Sequence, residues 1–214
     1  MKKNLISFAR ILALSLLAIW FSSCNKSGGG NSTPDVGAND INTVVCIGDS
    51  ITQGECVPAG PPYPSRLASL AGKTCINSGV CGERSFDTAS RAPGVLAKYK
   101  PGYMCLLIGA NDASFGDNPT AVGEDIRSII QAAKAQKTIP LVATLTPTYG
   151  PHAWSDANGQ AISVVIRQVV SEEHAILVDL EKEFGTDETL IQSDGLHPSD
   201  SGTQLIALSF NDKI

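Results

Sequence analysis

Four short segments carry residue types suited to nucleophilic chemistry. Gly48-Asp49-Ser50-Ile51-Thr52 offers a hydroxyl, and Asp194-Gly195-Leu196-His197-Pro198 offers an imidazole with a carboxylate three residues before it. A serine hydroxyl needs a neutral base to remove its proton, and that base needs an acceptor on its other ring nitrogen to hold the correct tautomer. A D-x-x-H spacing can put both on one short turn. Asn77-Ser78-Gly79-Val80-Cys81-Gly82 offers a backbone N–H at Gly82 with no Cβ in the way, and Gly109-Ala110-Asn111-Asp112 offers the side-chain amide of Asn111. Together with the Ser50 N–H these would be three donors around one developing oxyanion. The chemistry they suit is acyl transfer to water through a serine-bound intermediate, with a rate that falls in acid as the base protonates.

Taken singly, each segment has a plainer reading. A G-D-S string arises by chance in roughly one sequence of this length in twenty, so it decides nothing alone. Ser50 would serve as a helix cap, Asp194 or Ser199 as a turn former, and Gly82 and Asn111 as turn residues. A second class of function is a flavodoxin-like binding domain, with Ser50, Thr52 and Gly54 cradling a phosphate. It leaves Asp194, His197 and Asn111 without a task. A third is a surface protein that only binds glycans on a decayed hydrolase scaffold, and the intact segments argue against it.

The elements that must position these residues follow from periodicity. Apolar runs predict strands at 43–47, 74–76, 103–108, 141–145 and 175–178. They read as continuous apolar stretches, which is what burial on both sheet faces demands. Helices are predicted over 64–71, 85–98, 121–135, 160–173 and 199–208. In the third, Val122, Ile126, Ile129, Ile130 and Ala133 recur at three and four, giving one buried face. Strands alternating with helices predict an α/β fold, a three-layer α/β/α sandwich around a five-stranded parallel sheet of flavodoxin-like order 2-1-3-4-5. Such sheets bind ligands outside the carboxyl ends of their strands, where all four segments fall.

In combination, the four segments resemble the SGNH hydrolases, the GDSL-type lipases and esterases: GDSIT at 48–52, NSGVCG at 77–82, GAND at 109–112 and DGLHPS at 194–199. The resemblance runs from residue 43 to about residue 208. It implies a carboxylic ester hydrolase with Ser50 as nucleophile, His197 as base, Asp194 as its support, and Gly82 and Asn111 in the oxyanion hole. Gly79 is a rival in the glycine block, but Gly82 is the position that aligns. Asp49 is a motif residue whose implied role is structural. Arg84 contacts a polar substrate group or is a solvated charge. The aromatics of 147–154 either wall the pocket or cover the sheet edge. The resemblance embraces lipases, thioesterases and carbohydrate deacetylases. With no room for a large lid, short acyl or acetyl esters are favoured.

Composition bounds the rest. The chain has 214 residues, enough for one full α/β core. Residues 1–23 carry Lys2, Lys3 and Arg10 and no acid, so losing them takes the formal charge from −5 to −8. A chain this acidic repels phosphate backbones, and no nucleic-acid partner is expected. The apolar run at 11–21 is too short to span a bilayer. With Ser22 and Ser23 before Cys24 it resembles a bacterial lipoprotein signal, although Phe21 stands where an aliphatic is usual; the alternatives are an ordinary cleaved signal or an uncleaved anchor. The expectation is a signal at 1–23, lipid on Cys24, a Gly/Ser/Asn-rich tether over 24–40, and a hydrolase domain over 41–214, exported and held in the cell envelope. Cys46, Cys75 and Cys105 fall in strand-like runs and read as small buried hydrophobes. Cys56 and Cys81 lie in loops, either paired or free. His152, His174 and His197 are scattered without zinc spacing, and neither a metal nor another cofactor is expected.

Overall fold

The first strand, β1 (Asp40–Gly48), shows how the sheet is built. Side chains alternate along a strand, so Val44 and Cys46 enter one hydrophobic layer while Val45 and Ile47 enter the other. The computed structural model describes residues 34–54 and 60–214, of which Asp35–Ile214 form one compact unit.

Four more strands, β2 (Thr74–Gly79), β3 (Pro101–Leu107), β4 (Ile139–Ala143) and β5 (Ile176–Val178), pair in parallel in the order β2-β1-β3-β4-β5. The expected topology is therefore the observed one. β3 is buried throughout. The edge strands β2 and β5 are only partly buried, because each has a neighbour on one side alone.

Among the described residues, eight α-helices surround the sheet: α1 (Ser50–Gln53), α2 (Tyr63–Ala71), α3 (Ser85–Tyr99), α4 (Ala110–Phe115), α5 (Pro119–Ala135), α6 (Asp156–Glu172), α7 (Leu180–Phe184) and α8 (Asp200–Asn211). Short 3₁₀ turns lie at Gly150–Ser155 and Glu188–Leu190. On one face, α3, α5 and α6 pack Leu96, Ile126, Ile130, Ile162 and Ile166 against Val45, Ile47, Met104 and Leu106. On the other, α2, α7 and α8 pack Leu67, Phe184, Ile206 and Phe210 against Val44, Cys46, Cys105 and Leu107. Each fully buried aliphatic contributes about 2 kcal/mol of transfer free energy. The ring of Tyr63 stacks on Phe210 at 5.4 Å, joining α2 to α8.

Several boundaries differ from expectation, two of them by more than a strand end. The tether expected to run through residue 40 ends sooner. Val36 is buried, Asn39 Nδ2 donates to the carbonyl of Gln136 at 2.7 Å, and Asp40 already belongs to β1. Residues 35–40 are thus part of the domain. The helix expected from residue 160 begins at Asp156, because the preceding 3₁₀ turn feeds directly into it. The signal, Cys24 and Cys56 lie outside the described residues.

Candidate active site

The register of the sheet brings three of the four segments to one edge. Gly48 at the end of β1 stands level with Gly79 of β2 and Leu107 of β3. Ser50 follows that level by two residues, Gly82 by three and Asn111 by four.

Asp49 caps α1: its Oδ1 accepts from the N–H of Ile51 at 3.0 Å. The cap is thus the aspartate, and Ser50 is the first helical residue with its hydroxyl free for other work. Burial pushes the Asp49 carboxyl up to about 7, against the pull of the Ile51 N–H and with the help of the nearby Asp112 charge. Among the described residues, Asp49 Oδ2 is buried without a hydrogen-bond partner, which suits a protonated carboxyl better than a carboxylate.

Ser50 Oγ lies 2.9 Å from His197 Nε2, and His197 Nδ1 lies 2.7 Å from Asp194 Oδ2. Asp194 uses its other oxygen on the backbone: Oδ1 accepts from the N–H groups of Leu196 and His197 at 3.0 and 3.1 Å. Burial raises the Asp194 carboxyl, but those N–H groups and the His197 ring outweigh it and hold the group below its ordinary value. An ionised carboxylate only accepts, so Nδ1 carries the proton and Nε2 of the neutral ring accepts from Ser50. The turn is tight. Gly195 has φ +82°, and a Cβ there would lie 1.9 Å from the carbonyl oxygen of Tyr149.

Gly82 has φ +79° with open space where a Cβ would stand. A Cβ on Gly79 would instead meet the backbone N of Gln53 at 2.2 Å. Gly79 therefore packs against α1, and Gly82 is the glycine that faces outward. Among the described residues, no acceptor takes the N–H of Ser50 or of Gly82. Asn111 sits in the first turn of α4, not in a loop, and its Nδ2 donates to the carbonyl of Glu83 at 2.9 Å. That bond uses one of its two amide hydrogens and leaves the other.

Several residues that support the site carried no readable signal. His152 Nδ1 donates to the Asp194 carbonyl at 2.6 Å, and Tyr149 N–H donates to the Gly195 carbonyl at 2.9 Å, so the 149–152 segment braces the histidine turn. Asp112 is buried and accepts from Ser85 through both backbone N–H and hydroxyl. Glu83 is buried and paired with Arg91. Arg84 is partly exposed and pairs with Asp117 at 3.4 Å, its guanidinium against the rings of Phe86 and Phe115. Of the 147–154 aromatics, Tyr149 packs against the core and Trp154 is 65% exposed, its ring against His152.

The phosphate-cradle reading fails on Thr52. Its side chain is buried beneath the edge, 3.3 Å from the Tyr63 hydroxyl, and unavailable to a ligand. Cys46, Cys75 and Cys105 are free, the first and last buried and Cys75 half-buried. Cys81 is disulfide-bonded. Among the described residues, no group of three or more His, Cys, Asp or Glu side chains could hold a metal ion.

A pocket borders the Ser50–His197 pair, walled by Gly60, Pro61, Pro62 and Thr203. A second cleft lies between α4 and the start of α6, lined by Ala110, Leu145, Thr148 and Gly159; neither Ser50 nor His197 lines it.

Comparison with known proteins places the chain in a family. Esterase TesA of Pseudomonas aeruginosa is 28% identical over 165 residues, covering 73% of this chain and 80% of that protein. Thioesterase 1/protease 1 of Escherichia coli is 24% identical over 168 residues, covering 77% and 79%. The crystal structure of a lipase/acylhydrolase from Enterococcus faecalis superposes with a TM-score of 0.70 at 23% identity, covering 80% of this chain and 94% of that one. The model of the GDSL-like lipase/acylhydrolase family matches residues 46–205, a span that holds all four segments, and the chain belongs to that family of ester hydrolases.

Proposed function

We propose that the chain hydrolyses carboxylic esters of short acyl or acetyl groups through an acyl-enzyme on Ser50. One observation carries the reading: Ser50 Oγ at 2.9 Å from His197 Nε2, with Asp194 at 2.7 Å from the opposite ring nitrogen. As Oγ bonds to the ester carbon, His197 Nε2 takes the hydroxyl proton. The carbonyl electron pair moves onto oxygen, which accepts from Ser50 N–H, Gly82 N–H and the free hydrogen of Asn111 Nδ2. The tetrahedral species collapses, the bond to the alcohol breaks, and His197 returns its proton to the departing oxygen. Water then gives a proton to His197 and its oxygen to the acyl carbon, and Ser50 leaves with its proton restored.

The small proline- and glycine-walled pocket beside Ser50 supports a short acyl group over a long chain. A sugar acetyl ester or an acyl thioester is the alternative within the same chemistry, and the thioesterase among the relatives keeps the second in view. Hydrolysis of nitrophenyl esters from C2 to C12, beside acetylated sugars and acyl thioesters, tests the reading. Turnover highest at C2–C4 is expected. A maximum at C10–C12, or on thioesters alone, would overturn the acyl preference.

We further propose export and lipid attachment at Cys24. The basic start, the short apolar run and the Ser22-Ser23-Cys24 sequence support it. Incorporation of labelled palmitate into the full chain, lost in Cys24→Ser, is the expected result. Equal labelling of that variant would contradict it.

A further inference from the structure

We propose that Arg91 is a positioning residue of the oxyanion hole, holding the Asn111 amide in place through Glu83. Its guanidinium, on the second turn of α3, ties Glu83, whose carbonyl holds the Asn111 amide, to the ends of β1 and β2. Nη2 donates to the carbonyl of Gly48 at 3.3 Å, at the end of β1 just before Asp49 and Ser50. Nη1 and Nη2 donate to the hydroxyl and the carbonyl of Ser78 at 2.9 and 2.8 Å, at the end of β2. Nε and Nη2 grip both oxygens of Glu83, the residue after Gly82.

Glu83 passes the constraint on. Its side chain is only 7% exposed and also accepts from the Thr88 hydroxyl at 2.8 Å. Its backbone carbonyl is the acceptor that holds Asn111 Nδ2 at 2.9 Å. The Asn111 amide is thus bonded directly to the residue that the ion pair holds. A part-buried fork-to-carboxylate pair fixes direction as well as distance, which a lysine ammonium cannot reproduce. Donors aimed at a developing oxyanion work only when held in place before the reaction, and a displacement near 1 Å costs about 100-fold in rate.

The proposal rests on the reading of Gly82 and Asn111 as the hole, and a double-mutant cycle separates the two. Arg91→Lys should lower kcat by roughly 10- to 100-fold with KM within about threefold, and slow phosphonylation of Ser50 in parallel. Asn111→Ala should lower kcat by on the order of 100-fold. In the double variant, Arg91→Lys should cost at most about threefold more, because the donor it positions is already gone. A full, additive Arg91→Lys effect in the Asn111→Ala background would overturn the proposal and leave the hole standing. An unchanged kcat in Asn111→Ala would overturn the hole, and the proposal with it. Ser78→Ala removes one Arg91 acceptor without unpairing a charge, and it carries the same cycle if Arg91→Lys does not fold. Additivity there would overturn the proposal too.

Discussion

Asp194 divides its two carboxylate oxygens between the backbone and the ring of the residue it serves: Oδ1 takes the N–H of His197 at 3.1 Å, and Oδ2 takes its Nδ1 at 2.7 Å. The same side chain thereby shapes the turn and sets the tautomer. Asp194→Asn should keep the turn, since an amide oxygen can still accept from the backbone. The amide would then present hydrogens toward Nδ1 and favour the tautomer that cannot accept from Ser50. Turnover of a short ester should fall by about 100- to 10⁴-fold with little change in thermal midpoint. Loss of folding together with activity would make Asp194 a structural residue only.

Gly79 and Gly82 should separate stability from activity. A Cβ at Gly79 collides with the backbone of Gln53, so Gly79→Ala should lower the thermal midpoint markedly. A Cβ at Gly82 meets open space, but φ +79° is costly for alanine by about 1 kcal/mol, and the N–H will shift. Gly82→Ala should fold and lose about tenfold or more in kcat. Thermal melts and steady-state kinetics on both variants check this, and the reverse pattern would make Gly79 the donor.

Asp49 gives stability a pH dependence of definite sign. Its folded-state carboxyl titrates at about 7, above the ordinary value of 3.8, chiefly because it is buried. A raised carboxyl binds its proton more tightly when folded, so stability is fullest in acid. It declines from about pH 4, where the unfolded chain ionises, until the folded group also ionises near pH 7. The loss is on the order of 4 kcal/mol at most. Asp49→Asn keeps the acceptor for Ile51 and cannot ionise. Urea unfolding between pH 4.5 and 8 should show the variant gaining on the parent as pH rises. Parallel curves would mean that Asp49 stays charged in the fold.

The sheet order was legible because strands buried on both faces read as unbroken apolar runs, as in Val44–Ile47 and Met104–Ile108. The central site residues were legible because their spacing matches a known pattern, not because any one is distinctive. What escaped reading depends on contacts between distant segments. Asn39 bonds to Gln136, His152 to Asp194 and Arg91 to Gly48, and no local periodicity marks such pairs. Helix starts were partly readable. Asn118 caps α5, and Pro119 at its first position marks a start two residues ahead of the periodic apolar pattern. The short helix carrying Asn111 was missed, because six residues hold too few turns to show a period.

The most direct measurement is active-site labelling. The protein treated with an organophosphonate should take up one adduct, located by mass spectrometry on Ser50, with turnover lost in step. Ser50→Ala should take up none and lose several orders of magnitude in kcat. An adduct on another residue, or a Ser50→Ala variant that still hydrolyses short esters at the parent's rate, would contradict the account.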